Sequence, residues 1–439
     1  MIEVERLSGI FNRVAPVPAE WLASSRAAVP AVPAGGERRA CSRWAEVETA
    51  WRKALYWRPD LRDALVTMLA VACSTSQRDD QLFLQVIADA GSAKTRLCDA
   101  MLRSPTCFAL EYLTGFHSGW KDASGEDFSL LSRINHMTLI TPEADVLMGS
   151  PKFIELMSQQ RRIFDGASGA TYKNRKEDLR YTGLRTPWIM AGTPALLDTD
   201  QSRLGDRFLR VFIDQPDDEG RNAILSRAGH AALRAVTMAS NGDESTMLSP
   251  ELNEAYSLTG GYIDWFRARA SELLSQVFAE TADVDEVVNY CSVLATFTAK
   301  MRARPTPVKT EERHDTVELP SRLVKQFGRL AMCAAAVFNE RGVGDESLRL
   351  VKKVAIDTSR GRTLKTVRII AGAGAEGFSA GRIAVESGWS EDRERTYLGF
   401  LQRVGVVEAE ETALAWGGRQ VRYRLSPEIA SLWNSVNMM

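Results

Sequence analysis

Residues 81–95 constrain the fold of this chain more than any other stretch. Leu82, Phe83, Leu84, Val86 and Ile87 form a short buried-strand pattern that ends at Asp89, passes through Ala90, Gly91, Ser92 and Ala93, and continues into a helix from Lys94. A strand that turns through a small-residue loop into a helix is the opening of an α/β nucleotide fold. Residues 88–95 match G-x-x-x-x-G-K-[ST], with Ala88 and Ala93 in place of both glycines. The chemistry behind that pattern is a cradle of backbone N–H groups around a β-phosphate, a lysine ammonium on the β- and γ-phosphates, and a hydroxyl on Mg2+. Asp89, Ala90, Gly91, Ser92, Ala93, Lys94 and Thr95 are therefore the cofactor-binding candidates, ATP and Mg2+ the implied cofactors, and Thr95 a candidate metal ligand. Alanine at 88 and 93 adds a methyl group where the backbone approaches phosphate, which predicts strain. The competing reading is that Lys94 merely opens a surface helix.

A metal-bound triphosphate also needs an acid at the end of a neighbouring strand. Residues 137–141 read as that strand, and Pro142, Glu143, Ala144 and Asp145 follow it. Proline stands where an aspartate usually precedes the glutamate, so Glu143 is the candidate catalytic base and metal-orienting acid, with Asp145 second. Both acids would equally suit the start of a helix. A third strand, residues 186–191, stops at Gly192, Thr193 and Pro194. Thr193 then sits at a strand end, either to orient an attacking water or to shape the turn. An earlier helical run, residues 44–74, is divided by Pro59, and residues 15–40, rich in proline, glycine and alanine, read as an arm. Helical spacing dominates after residue 220, in 221–240, 250–280, 284–303 and 320–339.

Taken in order, the Lys94-Thr95 loop, the strand before Glu143, the strand before Thr193 and the segment Gly205, Asp206, Arg207, Phe208, Leu209, Arg210 resemble an AAA+ ATPase. The resemblance implies four regions: an arm (1–43), an α/β parallel-sheet core (44–220), a helical lid (221–345) and a further domain (346–439). It gives Glu143 a Walker B role and Thr193 a sensor 1 role, and it makes Arg207 the arginine finger, with Arg210 next in line. A finger acts on the γ-phosphate of a neighbouring subunit, so a homo-oligomer, a ring of six, is implied. Arg207 could instead form an ion pair with Asp206 or Asp214. Between Glu143 and Thr193 an apolar helix precedes the basic cluster Lys173, Arg175 and Lys176. That insert is similar to the pore hairpin of the MCM-like helicase branch, where such side chains would grip DNA phosphates. Glu177 and Asp178 leave a solvated mixed-charge loop as the alternative. Arg322, after Ser321, is similar to the sensor 2 position, against a plain basic helix face with Lys325 and Arg329.

The last region resembles an α+β winged helix-turn-helix domain, with helices at 363–371, 378–386 and 390–404 and strands at 406–408 and 420–425 around Gly417 and Gly418. Arg393, Arg395, Tyr397 and Arg403 would lie on its recognition helix, and Arg419, Arg422 and Arg424 on its wing. Charge leaves two readings open, DNA binding and protein docking. Residues 361–439 carry ten basic against nine acidic side chains, whereas residues 349–368 carry seven basic side chains against Asp357 alone. The whole chain of 439 residues has a formal net charge of -1, so any contact with nucleic acid must be local.

Six cysteines without a C-x-x-C pair and four scattered histidines argue for buried thiols and against a zinc site. No apolar run long enough to span a membrane is present, and Met1, Ile2, Glu3, Val4 and Glu5 do not open a signal peptide, which predicts a cytoplasmic protein with no membrane partner. The expectation is a ring-forming ATPase that couples hydrolysis to DNA translocation or remodelling: a helicase-like replication factor of a phage or mobile element, with replication or recruitment proteins as partners. The alternative is a weakly active nucleotide-binding scaffold, a regulator or defence sensor that recruits protein partners. The departures at Ala88, Ala93 and Pro142 favour it.

Overall fold

The computed structural model describes residues 38–78, 80–111, 115–118, 129–149, 152–173, 178–197, 207–239, 248–305, 317–413 and 419–438. They form two compact units. One holds the described residues up to Val284 together with Arg329–Leu350, and the other holds Asp285–Gly328 together with the chain from Val351 onward.

The first unit begins with helices α1 (Trp44–Ala54) and α2 (Pro59–Cys73). Pro59 cannot continue α1 but suits the first turn of α2, where its missing N–H would have no partner. Strand β1 (Phe83–Ala88) follows, buried at every position, then α3 (Lys94–Met101) and the short β2 (Cys107–Ala109). After α4 (Leu130–Ile134) come β3 (Thr138–Thr141), α5 (Ala144–Met148) and α6 (Phe153–Phe164). A small antiparallel pair, β4 (Ala167–Ala170) and β5 (Leu179–Thr182), precedes β6 (Trp188–Gly192) and β7 (Phe208–Ile213).

The main sheet has five parallel strands in the order β2-β3-β6-β1-β7. Burial of both faces explains why β1 reads as a nearly unbroken apolar run rather than an alternating one. Phe83 meets the ring of Phe164 edge-on at 5.0 Å and that of Phe208 at 5.4 Å, at the centre of an apolar cluster with Trp188, Phe116 and Leu139. One detail departs from the sequence reading. β3, which leads to Glu143, does not neighbour β1, because β6 lies between them.

Helices α7 (Asp218–Ala239) and α8 (Pro250–Glu280) complete the unit with the last part of the helix Ser321–Phe338, named α10 below. Ser249 caps α8, accepting a hydrogen bond from the Leu252 N–H at 3.3 Å. Gly261 is required on α8, since a Cβ there would lie 1.9 Å from the carbonyl oxygen of Arg39, where the chain leading into α1 crosses the helix.

The second unit contains most of α9 (Val284–Met301), the start of α10, most of α11 (Asp345–Thr358), α12 (Arg362–Gly372) and then β8 (Phe378–Ser379), α13 (Ala380–Ser387), α14 (Glu391–Arg403), β9 (Val407–Ala413), β10 (Arg419–Leu425) and α15 (Pro427–Met438). Its sheet is antiparallel, in the order β8-β10-β9. Phe378 and Ser379, expected to open a helix, instead pair with β10, and Ser379 caps α13 through the Arg382 N–H at 3.3 Å. Gly388, left-handed at φ 78°, turns the chain between α13 and α14. Among the described residues no helix is long and apolar enough to cross a membrane, and no group of metal-ligating side chains stands together.

Candidate active site

In a parallel sheet every strand ends at the same edge, so the segments after β1, β3 and β6 converge there. Ile87 pairs with Gly192, which places Thr193 level with Ala88, the first residue of the loop, on a strand about 4.8 Å away. Thr141 pairs with Met190, which brings Pro142, Glu143 and Asp145 to the same edge one strand further out.

The loop curls tightly. Gly91 has φ 79° and Ala93 lies in the left-handed region at φ 71°, ψ 6°, just before the first residue of α3. Alternation through left-handed positions turns successive N–H groups toward one side, the geometry of an anion cradle. The expected strain therefore falls on Ala93 alone. Ala88 is ordinary extended backbone, paired with Ile213.

Lys94 is buried, not the exposed side chain its loop position suggests, and its ammonium donates to the carbonyl oxygen of Asp89 at 3.3 Å. Asp89, Ala90 and Gly91 are exposed. The Asp89 carboxylate accepts from the amide of Gln215, just beyond β7, at 2.8 Å. Neither the buried Ser92 hydroxyl nor the half-buried Thr95 hydroxyl has a hydrogen-bond partner among the described residues. On the buried face of α3, burial pushes the Cys98 thiol up to about 12, so it is no nucleophile at neutral pH.

The two acids divide sharply. Asp145 binds Thr193 three ways: it accepts from the Thr193 N–H at 2.9 and 3.3 Å and from its hydroxyl at 3.0 Å. That hydroxyl in turn accepts from the Ala195 N–H at 3.3 Å. Glu143, exposed at the start of α5, has no side-chain partner among the described residues and does not cap the helix. Asp145 is thus the structural acid, locking the ends of β3 and β6 together, and Glu143 is the free one. Asp145 is the residue whose role sequence reasoning underrated. Its pairing with Thr193 depends on strand order, which no local pattern carries.

Arg207 precedes Phe208, the partner of Phe83 at the far end of β1. Five strand residues separate that level from Ala88, roughly 16 Å at about 3.3 Å per residue, so Arg207 lies away from the loop of its own chain. It pairs with Asp165 at 3.2 Å, and its guanidinium stands 5.4 Å from the Phe164 ring centre; Asp206 lies outside the described residues. Arg210 is buried and donates to Gln85 at 3.2 Å across the strands, a role inside the sheet. Arg322 belongs to the second unit, where it pairs with Glu318 at 2.9 Å.

β4 and β5 pair as antiparallel strands, and Lys173, beyond the end of β4, is exposed; Arg175 and Lys176 lie outside the described residues. In the second unit Arg393 and Arg395 are exposed on α14, Arg395 paired with Glu391 at 2.5 Å. Tyr397 faces the core, not solvent, and shares a 2.7 Å hydrogen bond with Thr363. Arg419 pairs with Glu411 at 3.1 Å and Arg424 with Glu410 at 3.1 Å, while Arg422 donates to the Glu376 carbonyl at 3.3 Å. No protein-family model and no curated protein matches the chain.

Proposed function

We propose that this chain is a nucleotide-driven ATPase of the AAA+ type that works as a ring on DNA, with the second unit acting as a winged helix. One observation carries the reading: the Lys94 loop, the free Glu143 carboxylate and the Asp145–Thr193 pair emerge from one edge of a parallel sheet, with the loop on a strand flanked on both sides. The loop residues fit a triphosphate, with the Lys94 ammonium already aimed at a backbone acceptor that phosphate oxygens would replace. Thr95 and Glu143 are the side chains that would hold Mg2+, which would supply charge neutralisation at the phosphates. Glu143 orients the attacking water, and Thr193, fixed by Asp145, reads the end of the phosphate chain. Arg207 reaches only another subunit's loop, which is the argument for a ring, and it must leave Asp165 to do so. Lys173, with Arg175 and Lys176, grips the DNA strand, and Arg393 and Arg395 make the first association.

A second reading, a scaffold that binds nucleotide weakly and recruits proteins, is favoured by the paired charges of the β9–β10 hairpin, which leave little positive field for phosphates. Steady-state hydrolysis with and without DNA separates the two. The first reading expects saturable Mg-ATP binding, turnover raised by DNA, and loss of binding in Lys94→Met, a change that keeps the aliphatic bulk a buried lysine supplies. Wild-type protein that binds no nucleotide would refute both readings. Binding without turnover, indifferent to DNA, would leave the scaffold.

A further inference from the structure

Away from the sheet edge, two adjoining clefts of about 690 and 520 Å³ open where the chain entering α1 passes α8 and the end of α10, and they share Ser42 and Trp265. Their chemistry is unlike that of an ordinary surface. Arg43 and Arg269, both exposed, line the larger cleft, and neither guanidinium has a hydrogen bond or ion pair among the described residues. Trp265, stacked on Tyr262 at 5.6 Å, and Phe338 give it aromatic walls. In the same wall the Trp44 indole N–H is buried with no acceptor among the described residues.

The cleft is also pre-shaped. Asn339, left-handed at φ 59°, accepts from the Trp44 backbone N–H at 2.8 Å and donates to the Ser42 carbonyl at 3.3 Å, which pins both sides. Two unpaired cations beside flat apolar surfaces call for carboxylates flanking an apolar group, since guanidinium and carboxylate pair in a fixed fork geometry. A continuous phosphate backbone fits poorly, because Asp264 lines the smaller cleft, held by Arg38 at 2.8 Å and Ser104 at 2.7 Å. A peptide can set its carboxylates singly and avoid that acid.

We infer that the larger cleft is a docking groove for an acidic peptide segment of a partner protein, its carboxylates on Arg43 and Arg269 and an apolar side chain against Trp265 and Phe338. The groove is independent of the phosphate loop. The test is selection from a displayed random-peptide library on the full chain, followed by solution anisotropy of the enriched peptides. The expected consensus places Asp or Glu on either side of an aromatic or long aliphatic residue. Arg43→Glu with Arg269→Glu should weaken binding by about tenfold or more, with an unchanged melting temperature. Lys94→Met should bind the peptide as wild type does, so failure of the ATPase reading and failure of this one are separable. A consensus without acids, or equal binding to the charge-reversed protein, overturns the inference. So does a labelled dT15 oligonucleotide whose affinity falls in that variant while peptides show no preference, which would assign the groove to nucleic acid.

Discussion

Two alanines stand where the phosphate-loop pattern has glycine, and the same substitution should act in opposite directions at the two. Ala93 is left-handed at φ 71°, a conformation that costs a residue with a Cβ about 1–2 kcal/mol and glycine nothing. Glycine also widens the unfolded ensemble, at roughly 0.4–1 kcal/mol. The balance makes Ala93→Gly more stable than wild type by about 0.5–1 kcal/mol. Ala88 is extended, 3% exposed and paired with Ile213. Glycine there loses roughly 0.5–1 kcal/mol of backbone entropy and about 0.8 kcal/mol for one buried methyl group, with no strain to recover. The two variants should therefore differ by about 2 kcal/mol. Urea denaturation followed by tryptophan fluorescence measures this, the midpoint rising for Ala93→Gly and falling for Ala88→Gly with unchanged slopes. Midpoints that move in the same direction, or an Ala93→Gly protein less stable than wild type, would refute the claim that strain is stored at residue 93.

Glu143→Gln should bind ATP as wild type does and hydrolyse it at least about a hundredfold more slowly. Asp145→Asn, which weakens the Thr193 contacts, should lower stability and turnover together; the reverse pattern in a paired binding and turnover assay would exchange their roles. On the proposed ring reading, in which Arg207 serves a neighbouring subunit's phosphate, Arg207→Ala should lower turnover by orders of magnitude while Asp165→Ala keeps it; equal stability loss with no effect on turnover in both would mark a purely structural ion pair. Burial first, then Arg185 and Arg267, lowers the imidazole of His136 from 6.5 to about 4. The unfolded chain thus binds the extra proton first, so His136 costs stability as pH falls from about 6.5 toward 4. His136→Asn tolerates the same left-handed backbone (φ 62°) and should flatten that part of the melting-temperature profile relative to wild type; parallel profiles would contradict the assignment.

Apolar periodicity made the long elements legible, since a pattern such as that of residues 250–280 survives any tertiary arrangement, and α8 spans those same residues. What it could not carry are elements and contacts that exist only through neighbours. β2 has three residues and is a strand because β3 lies beside it, and α5, with five residues, has too few turns to show a period. The same limit governs the candidate site. Lys94, Glu143 and Thr193 could be singled out one motif at a time, but the bond that ties Asp145 to Thr193 follows from β6 standing between β1 and β3. Charge is where local reading misleads most. Of the seven cations in residues 349–368, Arg349 is held by Asp63, Lys353 and Arg360 by Asp357, Arg362 by Glu394, and Lys365 by the Ser387 carbonyl. Lys352 and Arg368 alone remain without a partner among the described residues. A basic stretch offers phosphates only the charge its own fold has not already used, so the salt dependence of DNA affinity should report contacts from Lys173, Arg393 and their neighbours and little from these five paired cations.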